Sequence, residues 1–471
     1  RPSQVARPRA ADLSALERRP RASDRQAMGG VMASPALPGD KGAVAAYPPC
    51  LCWAQLLGAL LQAEKRGGGA PAPSRGHGAG PSAASGASAV VAGGDEVATL
   101  LPGPAGPRRV WEEGERFADG NLLGQNKWLG GVRGRNGVIY GMPGHAKQVL
   151  KIVPETGEVA LVGGPFAGDF KWLRGVLGPD GCIYGIPCWA EHVLKIDPRT
   201  DEITAVGGPL KGEWKWHGGV LAPDGAIYGI PCNAEGVLKI VPATQEVSII
   251  GGPLVGKNKW YGGLVGKDGC VYGVPNCADA VLKVVPSTGE VLTIGKLPEG
   301  GWKWHGGVVG DDGNVYGIPA NADRVLKVDT ATGEVSQIGP VLTGGRHRQD
   351  GKYKFLGGVK APDGTIFGMP GDSDAVLRIV PATGEVSTFG GPFLGENKWQ
   401  NGFVAKDGRV YGIPLRAETV LRIDADKLQA TTVGGPFKGK DKWEGGVVGR
   451  DGALYCMPLR AKAVLKIAPP A

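Results

Sequence analysis

Nowhere in the chain does an apolar run reach the roughly 18 residues a membrane helix requires. The longest candidate, CLCWAQLLGALL from Cys50 to Leu61, is too short to span and reads as a short amphipathic helix or a targeting remnant. The eight cysteines, Cys50, Cys52, Cys182, Cys188, Cys232, Cys270, Cys277 and Cys456, lack both CxxC pairs and the regular spacing of a small disulfide scaffold. They read as mostly reduced thiols, and Cys50-x-Cys52 as incidental. Strong charge of one sign is missing as well, since 53 Lys and Arg against 45 Asp and Glu leave only +8. A bias that mild and diffuse could favour an anionic ligand but does not point to nucleic acid.

Glycine and proline, by contrast, are abundant at 82 and 38 residues. That composition marks low complexity unless a period organises it, and from residue 127 onward a period does. A unit of the form KWxGGVxxxDGxIYGIPxxAxxVLKIxPxTGEVxxIGGPxxG returns every 44 residues. Its aromatic start falls at Trp128, Trp172, Trp216, Trp260, Trp304, Phe355, Trp399 and Trp443. One spacing, Trp304 to Phe355, is 51 residues and carries an insertion around Gly345 to Asp350.

Within the unit spanning 215–252, the runs GGVLA, AIYGI, VLKIV and VSIIG have strand length and β-branched or aromatic content, with turn formers between them and no helical periodicity. A four-stranded unit cannot bury both faces alone, so units must stack. Radial stacking gives an all-β, eight-bladed β-propeller over 108–471. The last unit ends at Val464 to Ala471 without a fourth strand, an open edge that proteins cover. Arg109-Val110-Trp111-Glu112, in a strand near 108–114, is expected to pair with strand three of the last blade and close the ring. Residues 1–107, rich in Gly, Ala, Pro, Ser and Arg, are expected to form a disordered tail, a candidate tether or targeting segment for an organelle or the cell surface.

The string VLAPDGAIYGIPCNAEGVLKIVP resembles uncharacterised repeat proteins of algae and other protists, whose units read GVLAPNGKIYGIP followed by an apolar strand; the resemblance spans 127–471. More distantly, DGxIYG followed by VLKIDPxTGE is similar to the propellers of streptogramin lyases and of NHL-type or regucalcin-like proteins. That kinship implies fold far more than activity.

Loops joining strand two to strand three, and each blade to the next, share one face. There the units diverge. The residue after the aromatic runs Leu129, Leu173, His217, Tyr261, His305, Leu356, Gln400, Glu444, and the pair after the strand-two proline varies likewise. The opposite face, carrying the Asp-Gly and PxTGE turns, reads as turn chemistry alone. Candidate binding residues on the variable face are therefore Arg174, Trp189, His217, Asn233, Tyr261, Asn321, His305, Arg346, His347, Arg348, Gln400 and Glu444. The lysine before each aromatic either rings the mouth with charge or packs its stem beside the next blade. The tryptophans are expected between blades.

An enzyme of the lyase type would need carboxylates, Asn or His near the axis to hold a metal. Strand one instead offers small and apolar residues such as Val220-Leu221-Ala222, predicting a packed or narrow channel, so no catalytic residue, metal or cofactor is assigned. The expectation is a non-enzymatic binding or scaffold propeller presenting its variable face to a protein partner or an anionic ligand. The alternatives are a metal-assisted lyase or hydrolase at the same mouth, and a structural repeat protein of a protist surface layer.

Overall fold

A computed structural model describes residues 90–93, 96–104, 122–344 and 350–469, which fall within the second of the chain's two units, Cys50–Ala471. Among the described residues every regular element is a β-strand, and no helix is long and apolar enough to cross a membrane. The strands form eight antiparallel sheets arranged as a propeller. Seven are four-stranded meanders, each contributed by consecutive strands.

Blade three illustrates why each unit folds this way. Strand one (Trp216–Leu221) pairs with strand two (Ile227–Pro231), strand two with strand three (Val237–Val241), and strand three with strand four (Glu246–Ile250). Strand two, IYGIP, is buried along its whole length because neighbouring blades cover both of its faces. Strand four, at the rim, holds only exposed and half-buried residues.

Trp216 packs between Tyr184, Ile186 and Val193 of blade two and Ile227 and Leu238 of its own blade. Its indole N–H donates to the Gly236 carbonyl at 2.9 Å. The same bond, spanning twenty residues, recurs from Trp128, Trp172, Trp260, Trp304, Trp399 and Trp443. The tryptophans are thus the repeated contact between blades, with the polar edge of each satisfied.

The ring closes as an N-terminal strand pairs with strand three of the last blade, but the strand is Glu96–Pro102 rather than one near 108–114. It runs antiparallel to Ala463–Ala468, with Thr99 opposite Lys466 and Leu101 opposite Val464. Arg109 to Glu112 lie outside the described residues. The repeat phase alone misplaces the strand because the segment joining it to blade one is longer than the other connections between blades. Leu101 and Ala98 supply the buried apolar side chains that a fourth strand needs, and LLP is a plainer strand signal than RVWE. A further strand, Val90–Gly93, pairs outside it and makes this sheet five-stranded. The ring therefore begins inside the stretch that composition assigns to the tail.

Candidate functional site

Each blade begins with two residues that hold it to its predecessor. The backbone N–H of the lysine before the aromatic donates to the first residue after the previous blade's strand-two proline, as in Lys215 to Cys188 at 3.1 Å and Lys259 to Cys232 at 3.1 Å. The same bond from Lys127 to Leu459, at 3.2 Å, seals the first blade to the last. The ammonium groups do not ring the mouth with charge. They are buried, and each reaches backbone carbonyls. Lys215 Nζ donates to Cys188 O at 2.9 Å and Gly212 O at 2.8 Å, and Lys398 Nζ donates to Gly371 O, Ser373 O and Gly395 O. Burial pulls the pKa of Lys171, Lys215, Lys259, Lys354, Lys398 and Lys442 down to about 8, and that of Lys127 to about 7.

The residue before each lysine is left-handed in all eight blades: Asn126, Phe170, Trp214, Asn258, Trp302, Tyr353, Asn397 and Asp441. Its backbone is pinned by the post-proline pair. Asn233 Oδ1 accepts from Asn258 N at 2.9 Å, Asn321 Oδ1 from Tyr353 N at 2.9 Å, and Asp372 Oδ1 from Asn397 N at 2.6 Å. Arg416 does the equivalent with a 2.9 Å ion pair to Asp441. Asn233 and Asn321, expected as ligand contacts, are therefore occupied as staples between blades. Trp189 packs edge-on against Trp214 at 5.7 Å, with Phe170 alongside. Phe170, Trp214 and Trp302 join Leu129, Leu173, Cys188, Cys232, Leu415 and Leu459 in one apolar cluster drawn from six blades. This layer covers the mouth on the variable face. Arg346, His347 and Arg348 lie outside the described residues.

One residue further along strand one, the variable side chains turn toward the axis. His217 and Tyr261 stack with ring centroids 3.5 Å apart, and Tyr261 and His305 follow at 4.4 Å. Expected at an exposed mouth, His217, Tyr261, His305, Gln400 and Glu444 are instead buried, none more than 7% exposed. The reason is the aromatic layer above them. Among them His305 Nδ1 and Nε2, His217 Nδ1 and Gln400 Oε1 and Nε2 meet no hydrogen-bond partner. Burial holds His217 well below the usual imidazole range and lowers His305 to about 3, while it raises the Glu444 carboxyl. Both imidazoles are accordingly neutral.

Below this ring the channel is walled by glycine. The pairs Gly130-Gly131, Gly262-Gly263, Gly306-Gly307, Gly357-Gly358 and Gly445-Gly446, with Gly175, Gly219 and Gly402, line a cavity of ≈ 400 Å³ together with Tyr261, His305, Leu264 and Phe403. The narrow, packed channel expected from the sequence is thus a chamber. Its width follows from the β-bulge in strand one of each blade, between the aromatic and the second glycine position. The first position of the pair is left-handed in all eight blades, which suits glycine. Two blades place a side chain there, Arg174 at φ 63° and Asn401 at φ 60°. Asn tolerates this conformation, but for Arg it is a genuine outlier. The Arg174 chain crosses from the Gly130 position toward Gly218. Arg174 lines the cavity with Tyr261 and His305, and its charge opposes protonation of His217 and His305 and favours the ionised form of Glu444.

On the opposite face the Asp-Gly turns are themselves committed. Tyr228 donates to Asp224 at 2.7 Å and Tyr272 to Asp268 at 2.7 Å, and Lys283 joins Asp268 at 3.0 Å. Blade one has Asn136 in place of the aspartate and borrows Asp201 from blade two for Tyr140 and Lys151. Among the described residues no group of three His, Cys, Asp or Glu side chains could hold a metal, and the six described cysteines are free thiols. Cys188 and Cys232 sit within the apolar layer, where burial raises both.

No family model matches this chain, and no curated protein does. Among solved structures the chain is similar to a streptogramin B lyase, with TM-score 0.50, 16% identity and coverage of 63% of this chain and 93% of that one. It is also similar to an inactive variant of virginiamycin B lyase from Staphylococcus aureus with quinupristin, with TM-score 0.50, 14% identity and coverage of 62% and 93%. At such identity the likeness is one of β-propeller fold.

Proposed function

We propose that the chain is a non-enzymatic binding propeller whose specificity resides in the axial chamber and the ring of variable residues that roofs it. The observation that carries this reading is the set of buried polar atoms left without partners at His305, which lines the cavity, at His217, which stacks on the lining Tyr261, and at Gln400, which precedes the lining Asn401. A donor or acceptor buried without a partner costs about 1–3 kcal/mol. Leu occupies the same position in blades one, two and six, at Leu129, Leu173 and Leu356, so the fold itself does not require a polar group there. Polar side chains that burden the apo protein and have an apolar alternative in the same chain are what a ligand site needs.

The test is native mass spectrometry of the full chain after incubation with a small-molecule cell extract. A non-covalent adduct is expected, absent when His305 and Gln400 are both replaced by Leu, with the released molecule unchanged in mass. Finding no adduct would overturn the binding reading. A molecule released in altered form would replace it with an enzyme.

A further inference from the structure

We propose that the axial chamber binds a small hydroxylated organic anion, a carboxylate or phosphate monoester, that enters from the face carrying the Asp-Gly turns. This deepens the binding reading above and rests on it.

The direction of entry follows from burial along strand one. The roof residues are closed over by the aromatic layer, whereas the residues after the glycine pair, among them Val220, Leu264, Val308 and Phe403, are partly exposed. Strand one runs from the roof toward the Asp-Gly turns, so the chamber opens there.

The charge of the ligand follows from what surrounds that opening. The residue immediately before each Asp-Gly pair, proline in blades two, three and six, leans over the turn of a neighbouring blade. Arg135 lies against Gly181, Lys406 against Gly452 and Arg450 against Gly137. Those three are exposed, as are Arg133 and Lys267, and Asp311 is the acidic member of the series, paired with Lys360. These cations stand among the turn aspartates, several of which are already engaged by a tyrosine or a basic side chain, as Asp224, Asp268 and Asp451 are, so the cations exposed at the entrance can still draw an anion toward it.

Inside, Arg174 is the cation of the chamber. Among the described residues its guanidinium makes no ion pair or hydrogen bond, so its donors are available to a planar oxyanion. It stands in a left-handed conformation where six of eight blades have glycine, and strain of that kind persists where it serves a function. The hydroxyls of the ligand follow from the roof. Neutral His305, which lines the chamber, offers both an unpartnered donor and an unpartnered acceptor, so the matching surface must both donate and accept.

The test uses the full chain, titrated calorimetrically with gluconate, glucose 6-phosphate, inorganic phosphate and glucose. Gluconate or glucose 6-phosphate is expected to bind, glucose not to, and affinity to fall as salt rises. Arg174→Gly restores the residue found in most blades. It should weaken binding of the anion by roughly tenfold or more, the range of a lost charged hydrogen bond, while the melting temperature of the free protein stays equal or rises. Reversing Lys406 and Arg450 to Glu should slow association and leave dissociation unchanged. Glucose binding as tightly as the anions, or unaltered affinity in Arg174→Gly, would overturn the anion assignment. An unaltered association rate in the charge-reversed variant would overturn the entrance. An adduct from cell extract with no affinity for any of these anions would sink this inference and leave the binding reading standing, whereas no adduct of any kind would sink both.

Discussion

The lysine that opens each blade and the axial residue two places later lie on the same strand start, yet they behave oppositely. Lys127, Lys171, Lys215 and their equivalents repeat in every blade, and each described ammonium is bonded to backbone carbonyls. Leu129, Leu173, His217, Tyr261, His305, Leu356, Gln400 and Glu444 differ nearly blade by blade, and several leave polar atoms without partners. Uniform positions are those that make blade-to-blade contacts, because an eightfold ring poses the same packing problem eight times. Positions that break the symmetry while costing stability are where selection for something other than folding is legible.

The contrast can be broken most severely at the seam. Deleting residues 96–102 removes the fourth strand of the last blade and exposes the edge of Ala463–Ala468. The cooperative thermal transition is expected to disappear, measured by circular dichroism or calorimetry. A deletion variant that melts as the parent does would show that another segment closes the ring. Next in size is Trp216→Ala, which empties a space between blades two and three and leaves the Gly236 carbonyl without its indole donor. It should cost about 3–5 kcal/mol in denaturant unfolding.

The axial set is sharpened by acid. His305 is held at about 3 in the folded protein, below its unfolded value near 6.5. Its stabilising share is therefore complete above pH 6.5 and is lost as pH falls toward 3, because the unfolded chain takes up the proton first. At pH 4 the loss from this residue is on the order of 3 kcal/mol. His305→Leu should flatten that part of the stability profile. An unchanged acid limb would place the proton uptake elsewhere. The lysines shift the profile at the other end. Their folded pKa values near 8 lie below the unfolded value of 10.5, so the folded state sheds protons first and stability rises with pH above about 8. Thiols such as Cys232, pushed up to about 12, act the other way once the unfolded thiol ionises near pH 9. The thiols thus offset part of the rise above about pH 9, and Lys215→Met should reduce its slope without removing it.

The blade count, the four strands, the interblade tryptophans and the need for an N-terminal closing strand are all legible in the period, since each is a repeated solution. The position of the closing strand is not, because it lies outside the period, and residues 96–102 sit in a stretch whose composition points elsewhere. The site was half legible. Divergence at the residue after each aromatic marked His217, Tyr261, His305, Gln400 and Glu444, but their burial depends on the aromatic layer over the mouth. That layer is built by Phe170, Trp214 and Trp302 at left-handed positions, where bulky residues are not expected. Strand one read from sequence as crowding the axis, on residues such as Val220-Leu221-Ala222, and the glycine pairs ahead of them carried no axial reading. Their bulged, left-handed geometry pulls the strands apart instead, and the signal available was the break at Arg174 and Asn401 in an otherwise regular glycine column.

That break offers the finest test of the contrast. A residue with a Cβ in the left-handed region costs about 1–2 kcal/mol, and asparagine less than arginine. If symmetric positions serve folding and exceptions serve a ligand, restoring glycine should stabilise, by about 1 kcal/mol at Arg174 and less at Asn401. The reverse exchange separates this from mere tolerance. A Cβ added at Gly262 or Gly306 meets nothing within 4 Å, so Gly262→Arg would bear the backbone cost alone and lower stability by about the amount that Arg174→Gly restores. Equal and opposite shifts in denaturant midpoint would show that blade two carries its arginine at the expense of the fold. A loss of stability in Arg174→Gly would instead make the guanidinium a structural strut across the chamber, and the asymmetry of the axial column would then belong to folding after all.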